Sequence, residues 1–190
     1  MPVQDRPLTP AGRRVLRVAS ELFYERGVGS VGMELIAAEA GVTKKTVYDR
    51  FGSKDALILA YLDARDERWR DFMTGRIAEV TGPRERVLAT FDALGEWLAT
   101  ESGRGCSMVN ACAELPDPAH PVHQVAAKQK AWVRALYADL VDDGTLADQL
   151  LILHEGAVVA FSVGGIRDAA AKARAAAGAL LPRALSAGGP

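Results

Sequence analysis

Apolar residues recur three and four apart along nearly the whole chain, and that spacing predicts helices. Val15, Leu16, Val18, Ala19, Leu22 and Phe23 follow Thr9-Pro10, a capping residue with proline at the first helical position. A first helix therefore runs from about Pro10 to Arg26 and ends near Gly27. Met33, Ile36, Ala37 and Ala40 form a second stripe, roughly 33–40, with Gly41 where a left-handed residue is wanted. Thr43 caps a third helix, Lys44 to Phe51, which is held by an inward Val47 and Phe51 and stopped by Gly52. Ser53 then caps a long fourth helix carrying Leu57, Ile58, Tyr61, Leu62, Trp69, Phe72 and Met73.

Gly82-Pro83 punctuates the chain before a fifth helix with Val87, Leu88, Phe91, Leu94, Trp97 and Leu98, closed by Gly103 to Gly105. A sixth covers about Ser107 to Leu115 and stops at Pro116-Asp117-Pro118; a seventh runs from about Pro121 to Val141, ended by Asp142-Asp143-Gly144. From Leu146 to Val163 few positions are polar, so this eighth helix must be covered on more than one face. The ninth, about Asp168 to Leu185, is mostly alanine with a basic side made by Lys172 and Arg174, and Pro182 bends or ends it. The pattern is all-α, about nine helices, with no strand signal.

The short third helix changes the reading from fold to function. Two short amphipathic helices joined by a three-residue turn containing Gly41 have the form of a helix-turn-helix, whose second helix enters the DNA major groove. With Val47 and Phe51 inward, Lys45 and Asp49 face out beside the edge formed by Lys44 and Thr46. A lysine can donate to guanine O6 and N7, and an aspartate can accept from a cytosine amino group. Thr43, Thr46, Tyr48 and Lys54 carry hydroxyls or an ammonium suited to phosphate oxygens.

Charge offers only mild support. The net charge is −1; residues 1–65 hold ten Lys/Arg against eight Asp/Glu, and 66–190 thirteen against sixteen. Binding must rest on where a few cations point. No signal-peptide segment or membrane span is read, so the chain is expected in the cytoplasm. Cys106 and Cys112 lie six apart, roughly 240° around a helix axis if both are helical, so they are expected as reduced thiols.

Leu22-Phe23-Tyr24-Glu25-Arg26-Gly27, Ile36-Ala37-Ala38-Glu39-Ala40-Gly41-Val42-Thr43, Thr46-Val47-Tyr48 to Phe51, and Ser53-Lys54-Asp55-Ala56-Leu57 together resemble the TetR family of transcriptional regulators. The resemblance spans about residues 10–62. It implies a helix-turn-helix DNA-binding domain over 1–55 and a helical effector-binding and dimerisation domain over 56–190. It further implies a ligand-responsive repressor that binds a palindromic double-stranded DNA operator as a homodimer and is released by a small molecule. A helical sensor or adaptor without sequence-specific DNA binding is the alternative. Where many members carry Thr or Ser before the second helix this chain has Val31-Gly32, leaving the phosphate contact to Ser30 or the backbone. Asp49 either reads a base or pairs with Lys45.

In the C-terminal part, Trp69, Phe72, Met73, Trp97, Met108, Asn110, Trp132, Tyr137 and His154 are the expected ligand lining, since apolar walls with a few polar groups suit a small molecule. If the last two helices pair with their twins, they cover the faces of Leu150, Ala157 and Phe161, while Gly164 permits close approach. Cys106 with His154 and Glu155 supplies a nucleophile and bases, but no triad geometry follows from the sequence, and no enzyme is expected. His120 and His123 with Asp117 have loose metal-ligand spacing, yet His120-Pro121 fits a helix start better, so neither metal nor cofactor is expected.

Overall fold

A computed structural model describes residues 8–181, and all its regular structure is helical: α1 (Pro10–Arg26), α2 (Met33–Glu39), α3 (Lys44–Phe51), α4 (Lys54–Ala78), α5 (Pro83–Thr100), α6 (Ser107–Glu114), α7 (Pro121–Val141), α8 (Gly144–Ser162) and α9 (Ala169–Leu180). Among the described residues there is no strand and no helix long and apolar enough to cross a membrane. The chain divides into two compact units. One contains the described residues through Asp66 together with Ser107–Ala126; the other contains Glu67–Cys106 and the described residues from Ala127 onward.

The first unit is built on caps and a small core. Thr9 Oγ1 accepts from Gly12 N at 3.2 Å to open α1, as its sequence predicts. Gly41, at φ +62°, ends α2: its N–H donates to Ala38 O at 3.1 Å, and Val42 N–H reaches back to Ala37 O at 3.0 Å. These crossed bonds are a Schellman closure, which turns the chain sharply between α2 and α3. Val15, Ala19, Phe23, Ile36, Val47, Phe51, Leu57 and Leu62 are buried, and the Phe23 and Tyr61 rings lie 5.8 Å apart. Arg14 Nε donates to Ala40 O at 3.0 Å, tying α1 to the last carbonyls of α2.

In the second unit α5 packs on α8 and α9, and α8 packs on α9. Its core joins Trp69, Phe91, Leu94, Leu98, Tyr137, Leu150, Ala157, Phe161 and Ala169, Ala170, Ala173 and Ala177 of α9. Small residues allow the close approach: a Cβ on Gly95 would sit 3.4 Å from the Cβ of Ala170. Arg84 donates to Gly178 O at 2.7 Å and Leu181 O at 3.2 Å, satisfying carbonyls that the end of α9 leaves open.

Several boundaries and faces differ from the sequence expectation. Gly144 opens α8 instead of ending α7, because Asp143 caps it by accepting from Thr145 N at 2.8 Å and Leu146 N at 3.0 Å. Helix α9 stops at Leu180, and the expected continuation through Pro182 to Leu185 lies outside the described residues. Lys172 and Arg174 do not form one basic side, since residues two apart point apart on a helix. Lys172 pairs with Asp168, the N-cap of its helix, and Arg174 reaches Asp92 on α5 at 2.9 Å.

Candidate nucleic-acid interface and effector site

Helix α3 spans barely two turns, too short to persist alone, and burial of Val47 and Phe51 holds it to the unit. Each such burial contributes roughly 1.5–3 kcal/mol. Thr43 Oγ1 accepts from Thr46 N at 3.1 Å and lies 2.9 Å from Thr46 Oγ1, while Gly52, at φ +78°, closes the other end. Ser53 Oγ then accepts from Ala56 N at 3.0 Å and starts α4. Fixing the inner face leaves Thr43, Lys44, Lys45, Tyr48 and Asp49 exposed and Thr46 and Lys54 partly exposed on the first unit.

The cations on that surface are not bare. Lys45 Nζ stands 3.5 Å from Asp49 Oδ2, one turn along α3. Lys44 donates to Glu34 of α2, and that bond, reinforced by the charge of Glu34, holds the Lys44 ammonium above its ordinary pKa. The Lys44 bond likewise holds the Glu34 carboxyl below its ordinary value. Both side chains are open to solvent, so the pair is a weak, salt-screened contact that another anion can displace. Lys44 also sits over the Tyr48 ring, 5.8 Å from its centre. Lys54 Nζ donates to Gly29 O at 3.3 Å. Glu34 was absent from the sequence-derived set; an acid in the first turn of α2 reads there only as a favourable helix-dipole residue.

Before α2, Gly32 is the N-cap and no side chain caps the helix. Ser30 Oγ donates instead to Arg26 O, closing its own turn.

In the second unit the predicted ligand residues form an aromatic cluster. Ring centres lie 5.2 Å apart for Trp69 and Trp97, 5.5 Å for Phe72 and Trp97, and 5.8 Å for Trp69 and His154. Met73 is buried in the same core, and Trp132 packs beneath the Arg70 guanidinium at 4.7 Å. Met108 and Asn110, expected in the same lining, belong to the first unit. Their position on α6 could not be assigned to either unit from periodicity alone.

A polar chain crosses this core. Thr90 Oγ1 donates to Val87 O at 2.7 Å, Tyr137 OH lies 3.0 Å from Thr90 Oγ1, and His154 Nδ1 lies 3.0 Å from Tyr137 OH. With the Thr90 proton directed at Val87, the bonds are consistent only if Tyr137 donates to Thr90 and His154 Nδ1–H donates to Tyr137. In the neutral imidazole this leaves Nε2 as the acceptor. Burial, followed by the positive charge of Lys130, pushes the His154 pKa down to about 3. Burial also raises the Tyr137 phenol well above its ordinary value, so it stays protonated.

The nucleophile and bases considered from sequence are separated by their bonds. Lys130 Nζ donates to both Glu155 oxygens, at 2.7 and 2.8 Å, and to Cys106 Sγ at 3.3 Å, whereas His154 is committed to Tyr137. Cys106 precedes α6, so only Cys112 is helical, and no disulfide joins them.

The dimer-face expectation needs correction. Leu150, Ala157 and Phe161 lie in the chain's own core, 0%, 4% and 9% exposed, and Gly164 alone of the four is at the surface. The outward apolar positions are instead Ile152, Val159, Val163 and Ile166. A shallow groove of about 300 Å³ is lined by Ile152 and Ile166 with Gly156, Ala160, Ala173 and Ala176.

A capped, exposed basic helix following a Gly-containing turn defines the class as a helix-turn-helix DNA-binding regulator. Comparison with known proteins agrees. The model for bacterial regulatory proteins of the tetR family matches residues 15–61. SCO4454, a TetR-family transcriptional regulator from Streptomyces coelicolor, has a fold similar to this chain with a TM-score of 0.79 at 31% identity, over 91% of this chain and 92% of that one. The Escherichia coli regulator YjdC is 26% identical over 151 residues, 75% of this chain and 78% of its own length. FasR, a transcriptional activator of Mycolicibacterium smegmatis, is 30% identical over 147 residues, covering 77% and 64% respectively. The chain belongs to the TetR family: it is a transcriptional regulator and not an enzyme.

Proposed function

We propose that this regulator is a cytoplasmic repressor that binds a palindromic operator as a homodimer, each copy placing α3 in one major groove, and that a small molecule in the second unit releases it. The observation that carries the reading is the local build of α3: Val47 and Phe51 are buried, both ends are capped, and Lys45 is 85% exposed on the opposite face. In this reading Lys45 meets base edges with Asp49 orienting it, and Thr43, Lys44, Thr46, Tyr48 and Lys54 meet phosphates. DNA phosphates replace Glu34 as the partner of Lys44, a swap that a solvent-exposed pair permits at little cost.

For the effector, the aromatic cluster of Trp69, Phe72 and Trp97 with Met73, Trp132, Tyr137 and His154 favours a largely apolar, aromatic molecule. The bond order of the His154 chain makes Nε2 an acceptor, so the fitting ligand carries one hydroxyl or N–H donor. Release follows if such a ligand binds a dimer whose reading helices miss the half-site spacing more tightly than it binds the operator-competent dimer.

Selection of bound fragments from sheared genomic DNA tests the central claim. A symmetric sequence with half-sites one helical turn, or a multiple, apart is expected. Recovery of no symmetric site removes operator binding and leaves the second reading, a helical adaptor, for which the acid partners of Lys44 and Lys45 speak.

A further inference from the structure

The turn between α1 and α2 is gripped by a residue from outside the three-helix head. Gly29 N–H donates to Glu114 Oε2 at 2.7 Å, and Glu114 is the last residue of α6. The carbonyl of the same glycine accepts from Lys54 Nζ at 3.3 Å, at the start of α4. Two residues earlier Gly27 sits at φ +88°, where a Cβ would fall 2.6 to 2.9 Å from the Glu114 carboxylate. A side chain at Gly27 would thus displace the carboxylate from its place.

The grip falls on the turn that leads into α2, alongside the bond from Ser30 Oγ to Arg26 O. Gly32 caps α2 without a side-chain bond, and α2 is joined to α3 through the rigid closure at Gly41. The course of the turn before Val31, which is itself buried, therefore sets where α2 begins and where α3 points. A carboxylate is otherwise an unfavourable group near a surface that must approach phosphates, since its charge opposes them.

Building on the operator-binding reading, we propose that Glu114 is a positioning residue for DNA recognition: its carboxylate fixes the α1–α2 turn in the conformation that aims α3 at the operator. Its contribution is geometric and outweighs the repulsion it adds. Charge and geometry then predict opposite rankings for two conservative changes. Glu114→Gln keeps the length and an acceptor oxygen while losing the charge; Glu114→Asp keeps the charge while falling one methylene short of Gly29.

The test measures affinity of the full-length chain for its selected operator at several salt concentrations, with melting curves to show that each variant is folded. The expected result is near wild-type binding for Glu114→Gln and roughly tenfold weaker binding for Glu114→Asp, the scale of one lost charge-assisted hydrogen bond. The salt slope is unchanged in both, because no phosphate contact is removed. Tighter binding by Glu114→Gln together with wild-type binding by Glu114→Asp is what repulsion alone produces, and that ranking overturns the proposal. If the wild-type chain selects no operator, the underlying reading fails; if it selects one and the ranking is reversed, only the role of Glu114 fails.

Discussion

At the scale of single residues the informative pair is Lys45 and Asp49. Their 3.5 Å separation pairs the two in the chain without DNA. Both are well exposed, and such an i,i+4 pair stabilises a helix by only about 0.2–0.5 kcal/mol, so it orients Lys45 without locking it. Lys45→Ala is expected to cost about 1–3 kcal/mol at one operator base pair and little elsewhere. Asp49→Asn should strengthen binding to every sequence by a similar small factor, since a charge that repels phosphates is removed and no base contact is lost. Binding to a panel of single-base operator variants checks both. A changed preference at one position on Asp49→Asn would assign Asp49 to a cytosine instead.

At the scale of elements, caps carry most of what sequence could foresee. Thr9, Thr43 and Gly41 announced the ends of α1, α2 and α3 because each end depends on a residue beside it. The Thr90–Tyr137–His154 chain was not legible, for it joins α5, α7 and α8 across 47 and 17 residues. It has a measurable consequence. In the fold His154 titrates near pH 3, whereas unfolded it titrates near 6.5, so the unfolded chain binds the proton first as pH falls. Stability from this group is complete above about pH 6.5 and is lost progressively down to about pH 3, by up to roughly 1.4 kcal/mol per pH unit. Melting temperature measured from pH 7 to 4 should therefore fall more steeply for the wild type than for His154→Phe. Equal slopes would mean that the buried imidazole accepts a proton without unfolding.

At the scale of the whole molecule, sequence located the apolar helix but not its phase. Helix α8 is apolar around most of its circumference, and a pattern without a polar side does not say which residues meet the chain's own core. Leu150, Ala157 and Phe161 meet it, while Ile152, Val159 and Val163 remain 70%, 57% and 83% exposed. Exposed aliphatic side chains beside a groove lined by small residues favour a second copy of the chain as their cover. Val159→Glu places a charge in that proposed interface and, being at a surface position, should change monomer stability by no more than about 0.5 kcal/mol. The expected outcome is a shift from dimer to monomer in sedimentation. Because a dimer gains its second half-site at high effective concentration, affinity for the complete operator should fall by about two orders of magnitude or more, while binding to an isolated half-site stays as weak as in the wild type. A variant that remains dimeric and binds the full operator normally would move the dimer contact off this face of α8.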